Sequence, residues 1–132
     1  MKIAILEPNL DELDRALETF STCGHVCFGA SSDLGLRHLL DEVSVELLLL
    51  DWTDPDSARY ETLHYLAQYE SAIPVILCVS PHTSWYVIDS GLKRGASSSI
   101  EKPFRGAESL DSLQALTANG FSPALLASNR IM

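Results

Sequence analysis

A doubly wound α/β domain on a five-stranded parallel sheet is the fold class this sequence predicts, and three observations lead to it. Short apolar runs alternate five times with segments of helical period, the pattern of a parallel sheet covered by helices on both faces. The 132 residues suit one domain, large enough to bury a single core without disulfides or a structural metal. Several of the apolar runs close on an acid, a hydroxyl or a lysine, where the loops of an open parallel sheet gather around ligands.

The elements follow in order. KIAILE (2–7) is the first strand, and Asn9 can cap a helix that places Leu10, Leu13, Leu17 and Phe20 on one face before Gly24 stops it. HVCFGA (25–30) is the second strand. The helix after it, from about Ser32 to Glu42, carries Leu36, Leu39, Leu40 and Val43. ELLLLD (46–51) reads as a buried central strand, and the helix from about Ala58 to Tyr69 turns Leu63, Leu66 and Tyr69 inward. PVILCVS (74–80) is opened by Pro74, and the next helix, about Thr83 to Arg94, has Trp85, Val87, Ile88 and Leu92 as its apolar residues before Gly95 ends it. ASSSIE (96–101) owes its assignment largely to its place in the alternation. A fifth helix, about Ala107 to Ala118, carries Leu110, Leu113 and Leu116. The unit thus spans 1–118. Residues 119–132, with a turn signal at Asn119-Gly120 and then FSPALLASNRIM, are expected to be a terminal extension or a connector to an absent output domain.

Composition narrows the function classes. A formal net charge of −9 with only nine Lys and Arg argues against a nucleic-acid surface, because phosphate neutralisation needs clustered basic residues. Metal ions and basic protein partners suit the chain better. Three cysteines, Cys23, Cys27 and Cys78, form an odd set, read as reduced thiols of a cytoplasmic protein; Cys23 and Cys27 lack the second ligand pair a zinc site needs. MKIAILEPN has no long apolar run after its basic residue, so neither a signal peptide nor a membrane span is expected.

At the carboxyl ends of the strands stand Glu7, Asp51, Ser80 and Glu101-Lys102-Pro103. Singly, each has a bland structural role. Asp51 can open a turn, Glu7 can favour a helix start, Lys102 and Ser80 can be a solvated lysine and a strand-end hydroxyl, and Trp52 reads at least as readily as a partly exposed packing residue as it does as a ligand platform. Together, their order and spacing resemble the receiver domains of two-component response regulators. LLLLDW-x-x-P closes strand three, Gly24 precedes strand two, Gly95-Ala96 precedes strand five, Lys102-Pro103-Phe104 follows it, and Ser80 lies twenty-two residues before Lys102.

The resemblance implies a flavodoxin-like (βα)5 fold with strand order 2-1-3-4-5, and a role for each residue. Asp51 would be the phosphoacceptor, attacking a phosphohistidine on a sensor histidine kinase or phosphotransfer protein to become an acyl phosphate. Such a chain is a phosphorylation-dependent switch, catalysing nothing beyond its own phosphoryl transfer and dephosphorylation. Glu7, Asp51 and the backbone carbonyl of Thr53 would bind Mg2+. Lys102 would offer an ammonium to the phosphoryl group and Ser80 a hydroxyl, with the peptide before Pro103 often cis. The resemblance further implies a surface of helix four, strand five and helix five that changes on phosphorylation and can serve a homodimer.

Three departures bear on that role. Receivers typically close strand one with two acids, but here the second place is Pro8, which removes a carboxylate from the metal site and should weaken Mg2+ binding; Asp54 or Asp56 are candidates to restore the charge. Ser99 stands where an aromatic often swings inward, and Val79 competes with Ser80 for the switch position. The alternative function is therefore a pseudo-receiver, a phosphorylation-independent interaction or dimerisation module. An aspartyl-phosphate phosphatase of the haloacid dehalogenase type would need a second acid where Thr53 stands.

Overall fold

The computed structural model describes residues 1–68 and 73–104. Within them lie five strands, β1 (Lys2–Leu6), β2 (Val26–Ala30), β3 (Leu47–Asp51), β4 (Val75–Val79) and β5 (Ser98–Glu101). Four helices alternate with them, α1 (Leu10–Thr22), α2 (Asp33–Glu42), α3 (Ser57–Ala67) and α4 (Trp85–Lys93). The strands pair in parallel in the order β2-β1-β3-β4-β5, as the resemblance implies. The helix predicted at 107–118 and the extension 119–132 lie outside the described residues.

Local chemistry sets the helix ends. The Asn9 side chain accepts from Glu12 N–H, and Ser32, Asp56 and Ser84 cap α2, α3 and α4 in the same way, satisfying amides with no partner inside the helix. Gly24 and Gly95 follow α1 and α4 with φ of 93° and 114°, a left-handed turn that glycine adopts without a side-chain clash.

Alternation along the strands divides the core in two. Ile3, Ile5, Leu47, Leu49, Ile76 and Cys78 face α1, where Leu13, Ala16 and Phe20 meet them. Ala4, Leu6, Leu48, Leu50, Leu77 and Val79 face the opposite layer and pack with Leu36, Leu40, Leu63 and Leu66 of α2 and α3. Strands β1, β3 and β4 are covered on both sides, so they read as nearly unbroken apolar runs.

Burial differs from expectation at three residues. Leu10 and Trp85 are exposed (64% and 67%). Each is the first residue of its helix and lies about a third of a turn around it from a buried residue, Ala16 in α1 and Gly91 in α4. Trp52, expected to be partly exposed, is fully buried, because alternation sends it to the face opposite Asp51. Its indole Nε1–H donates to the Val87 carbonyl of α4 at 2.9 Å, and Tyr60 of α3 meets its ring edge-on at 4.9 Å. Gly91 lets α4 come this close: a Cβ there would stand 2.5 Å from Leu77 Cδ1 and 3.0 Å from the indole. Gly91→Ala is expected to cost about 1–3 kcal/mol through overpacking. Urea denaturation checks this, with a lowered midpoint at unchanged slope expected.

Candidate functional site

In the order 2-1-3-4-5, the connections leaving β1 and β3 run to opposite sides of the sheet, so a crevice opens beyond the carboxyl ends of these neighbouring strands. Leu6 and Leu50 are paired in register, which brings Glu7, one residue beyond β1, beside Asp51, the last residue of β3. Lys102 follows β5, anchored by its amide donating to the Val79 carbonyl at 2.7 Å, and the Lys102–Pro103 peptide is cis. Its ammonium donates to Glu7 Oε1 at 2.6 Å and to Asp51 Oδ1 at 2.8 Å. Three of the residues singled out in the sequence therefore form one ion-paired cluster.

Ser80 and Thr53 line the same cleft, whose volume is about 650 Å3. Thr53 donates its hydroxyl to Asp51 Oδ1 at 2.9 Å. Ser80 is the first residue after β4 and lines the cleft, whereas Val79 is a buried strand residue on the α3 and α4 face. The Ser80 hydroxyl is engaged locally, accepting from His82 N–H at 3.2 Å and sharing a 3.1 Å hydrogen bond with Thr83 Oγ1. Asp56 does not restore the charge missing at Pro8, because its carboxylate caps α3.

Sequence reasoning missed a second cation. Arg59 of α3 is buried, its Nη1 donating to the Asp51 backbone carbonyl and lying 3.3 Å from Asp51 Oδ2. Asp33 grips the other side of the guanidinium, accepting from Nε at 3.0 Å and Nη2 at 3.4 Å. Thr62 in turn donates to Asp33 Oδ2 at 2.6 Å. A signal was present: 59, 62, 63 and 66 fall on one helical face, and a search for apolar residues alone passes over its polar half.

The charges are set by competition between burial and pairing. Burial pushes Asp51 up, but the hydrogen bond and charge of Lys102, then Thr53 and Arg59, outweigh it and hold the carboxyl below its ordinary range. Asp33 is likewise held low against burial by Arg59 and Thr62. Burial would lower Lys102, yet Asp51 and Glu7 raise it well above the usual lysine value. Glu7 goes the other way: burial and the neighbouring Asp51 charge raise it despite Lys102 and the Asn9 amide. The cluster thus holds Asp51 ionised beside a firmly charged ammonium, with Glu7 the group that protonates first.

The hard oxygens of Glu7 and Asp51 fit a magnesium ion in kind, and the ammonium between them marks a point where positive charge is stabilised. The fit is a weak one. Glu7 Oε2 accepts from Asn9 N–H, Asp51 Oδ2 faces Arg59, and the remaining two oxygens hold Lys102. An incoming ion has to compete with these donors, and among the described residues no group of three or more His, Cys, Asp and Glu could hold a metal.

Comparison with known proteins agrees with this architecture. The sequence matches no family model. It is 28% identical over 120 residues to a Salmonella typhimurium protein described as "Probable transcriptional regulatory protein SilR", covering 91% of this chain and 52% of that one. The chain therefore spans about half the length of the curated relative it matches. Among solved structures, the Francisella response regulator 1452 receiver domain superposes with a TM-score of 0.75 at 20% identity, covering 89% of this chain and 96% of that one. The Vibrio cholerae chemotaxis protein CheY4 gives 0.76 at 16% identity, covering 86% and 96%. A CheY-like receiver domain protein from Methanospirillum hungatei gives 0.75 at 19%, covering 86% and 90%. The chain has the fold of response regulator receiver domains. No helix among the described residues is long and apolar enough to cross a membrane.

Proposed function

We propose that this chain is a receiver module of a two-component system in which Asp51 accepts a phosphoryl group and thereby switches the domain between two conformations. The observation that supports this most is the Asp51 carboxylate lining the cleft with the Lys102 ammonium 2.8 Å from its Oδ1. The donor is a phosphohistidine of a sensor histidine kinase or phosphotransfer protein. A carboxylate oxygen of Asp51 bonds to phosphorus as the P–N bond breaks and its electron pair returns to the imidazole. Lys102 screens the charge of the arriving group, and the Ser80 hydroxyl leaves Thr83 to donate to a phosphoryl oxygen. Mg2+, held weakly by Glu7, Asp51 and the Thr53 carbonyl, would add charge neutralisation to that of Lys102. The reaction is the module's own modification and its reversal, with no turnover of another substrate. Its setting is the cytoplasm, and its outputs are a kinase contact, a homodimer face formed by helix four, strand five and helix five, and regulation of transcription through a separate module, without direct nucleic-acid contact.

A second reading, an interaction module that never carries phosphate, is favoured by one observation: each carboxylate oxygen of Glu7 and Asp51 already faces a protein donor. The two separate on incubation with Mg2+ and a small phosphodonor such as acetyl phosphate. The receiver reading expects a phosphoryl mass increment in the intact protein that is lost in Asp51→Asn. A folded protein that gains no increment even at high Mg2+ supports the second reading.

A further inference from the structure

We infer that Arg59 is a positioning residue of the acceptor site, a fixed guanidinium that orients the Asp51 carboxylate and supplies positive charge on its Oδ2 side. The inference rests on the reading of Asp51 as phosphoacceptor. Burying a guanidinium is costly unless its donors are matched, and here they are shared between two partners with little redundancy. Asp33 takes Nε and Nη2, and Asp51 takes Nη1 with both its backbone carbonyl and Oδ2.

The side chain is only 8% exposed, and Thr62 fixes the Asp33 carboxylate in turn at 2.6 Å, so the cation has little freedom to swing away. Held from its main chain and from one oxygen, Asp51 presents Oδ1 to Lys102 and Thr53. The contact to Oδ2 is the looser of the two cationic contacts, 3.3 Å against 2.8 Å, so Arg59 steers the carboxylate without gripping it as tightly as Lys102 does. Phosphoryl transfer brings further negative charge to this spot, and preorganised positive charge in a partly buried site is where electrostatic help is largest. With Pro8 in place of a strand-one acid, fixed side-chain cations carry more of that burden.

The test follows labelling by phosphoramidate in the wild type, Arg59→Met, Arg59→Lys, Asp33→Asn and Asp51→Asn, each checked for folding by circular dichroism and with donor concentration varied. The maximal labelling rate is expected to fall by about tenfold or more in Arg59→Met, with half-saturation nearly unchanged. Arg59→Lys should recover part of the rate, and Asp33→Asn, which loosens the grip while leaving the cation, should lie between. Folded Arg59→Met labelled as fast as wild type or faster overturns the inference and leaves the Asp51 reading standing. If Arg59→Met does not fold, Asp33→Asn decides: a slower maximal rate supports the inference and a wild-type rate overturns it. A folded wild type that takes no label under any condition overturns both.

Discussion

Lys102→Met is expected to slow phosphoryl labelling of Asp51 by about a hundredfold or more and to destabilise the domain by about 3 kcal/mol. The two effects share one cause. The ammonium is the common donor to Glu7 Oε1 and Asp51 Oδ1, and all three side chains are 15% exposed or less. Its removal leaves two carboxylates facing each other in a poorly solvated pocket. Glu7, already pushed up by burial and by Asp51, relieves the repulsion by taking a proton, which limits the stability cost but cannot replace the lost charge at the acceptor. Urea denaturation should show a lower midpoint with an unchanged slope, and Lys102→Arg should regain stability better than labelling, since a planar guanidinium is a poor substitute for a compact ammonium. An unchanged midpoint in Lys102→Met would show that the cluster adds nothing to stability.

The second large effect is expected at Trp52. Trp52→Ala removes a wholly buried indole, its edge contact with Tyr60 and its hydrogen bond to Val87, at a cost of about 4 kcal/mol. Against a total of about 5–15 kcal/mol for an ordinary domain, that is a large share of the stability. Trp52→Phe keeps much of the packing and loses the hydrogen bond, so about 1–2 kcal/mol is expected. Trp52 sits next to Asp51 in sequence yet touches α4, which ties the acceptor strand to that helix; Tyr60 adds a second tie through its hydroxyl, 3.0 Å from Ser90 Oγ. Hydrogen exchange in Trp52→Phe should accelerate in α4 more than in α1. Equal acceleration in both helices would argue that the indole only fills the core.

The parts of this fold that depend on local pattern could be read from the sequence. LLLLD predicts a strand buried on both faces that ends at an ionisable residue, and β3 is that strand. Asn9, Gly24 and Gly95 mark helix ends because capping and left-handed turns have residue requirements at single positions. Glu7, Asp51 and Lys102 come together because strand order fixes which strand ends are neighbours. The burial of Trp52 is also carried by alternation: the residue after an acid facing α1 must face α3 and α4. Arg59 and Asp33 are different. They lie 26 residues apart, each is unremarkable in its own helix, and only the packing of α3 beside the end of β3 gives them a joint role with Asp51. Sequence periodicity reports which face of a helix is buried; it does not report which charges meet there.

The central claim, that Asp51 is a phosphoacceptor, is tested most directly by trapping the acyl phosphate where it forms. Borohydride reduces an aspartyl phosphate to the alcohol of homoserine, so protein treated with phosphodonor, reduced, digested and sequenced by mass spectrometry should carry homoserine at position 51. Homoserine at any other position, or none from a protein that remains folded, would contradict the claim.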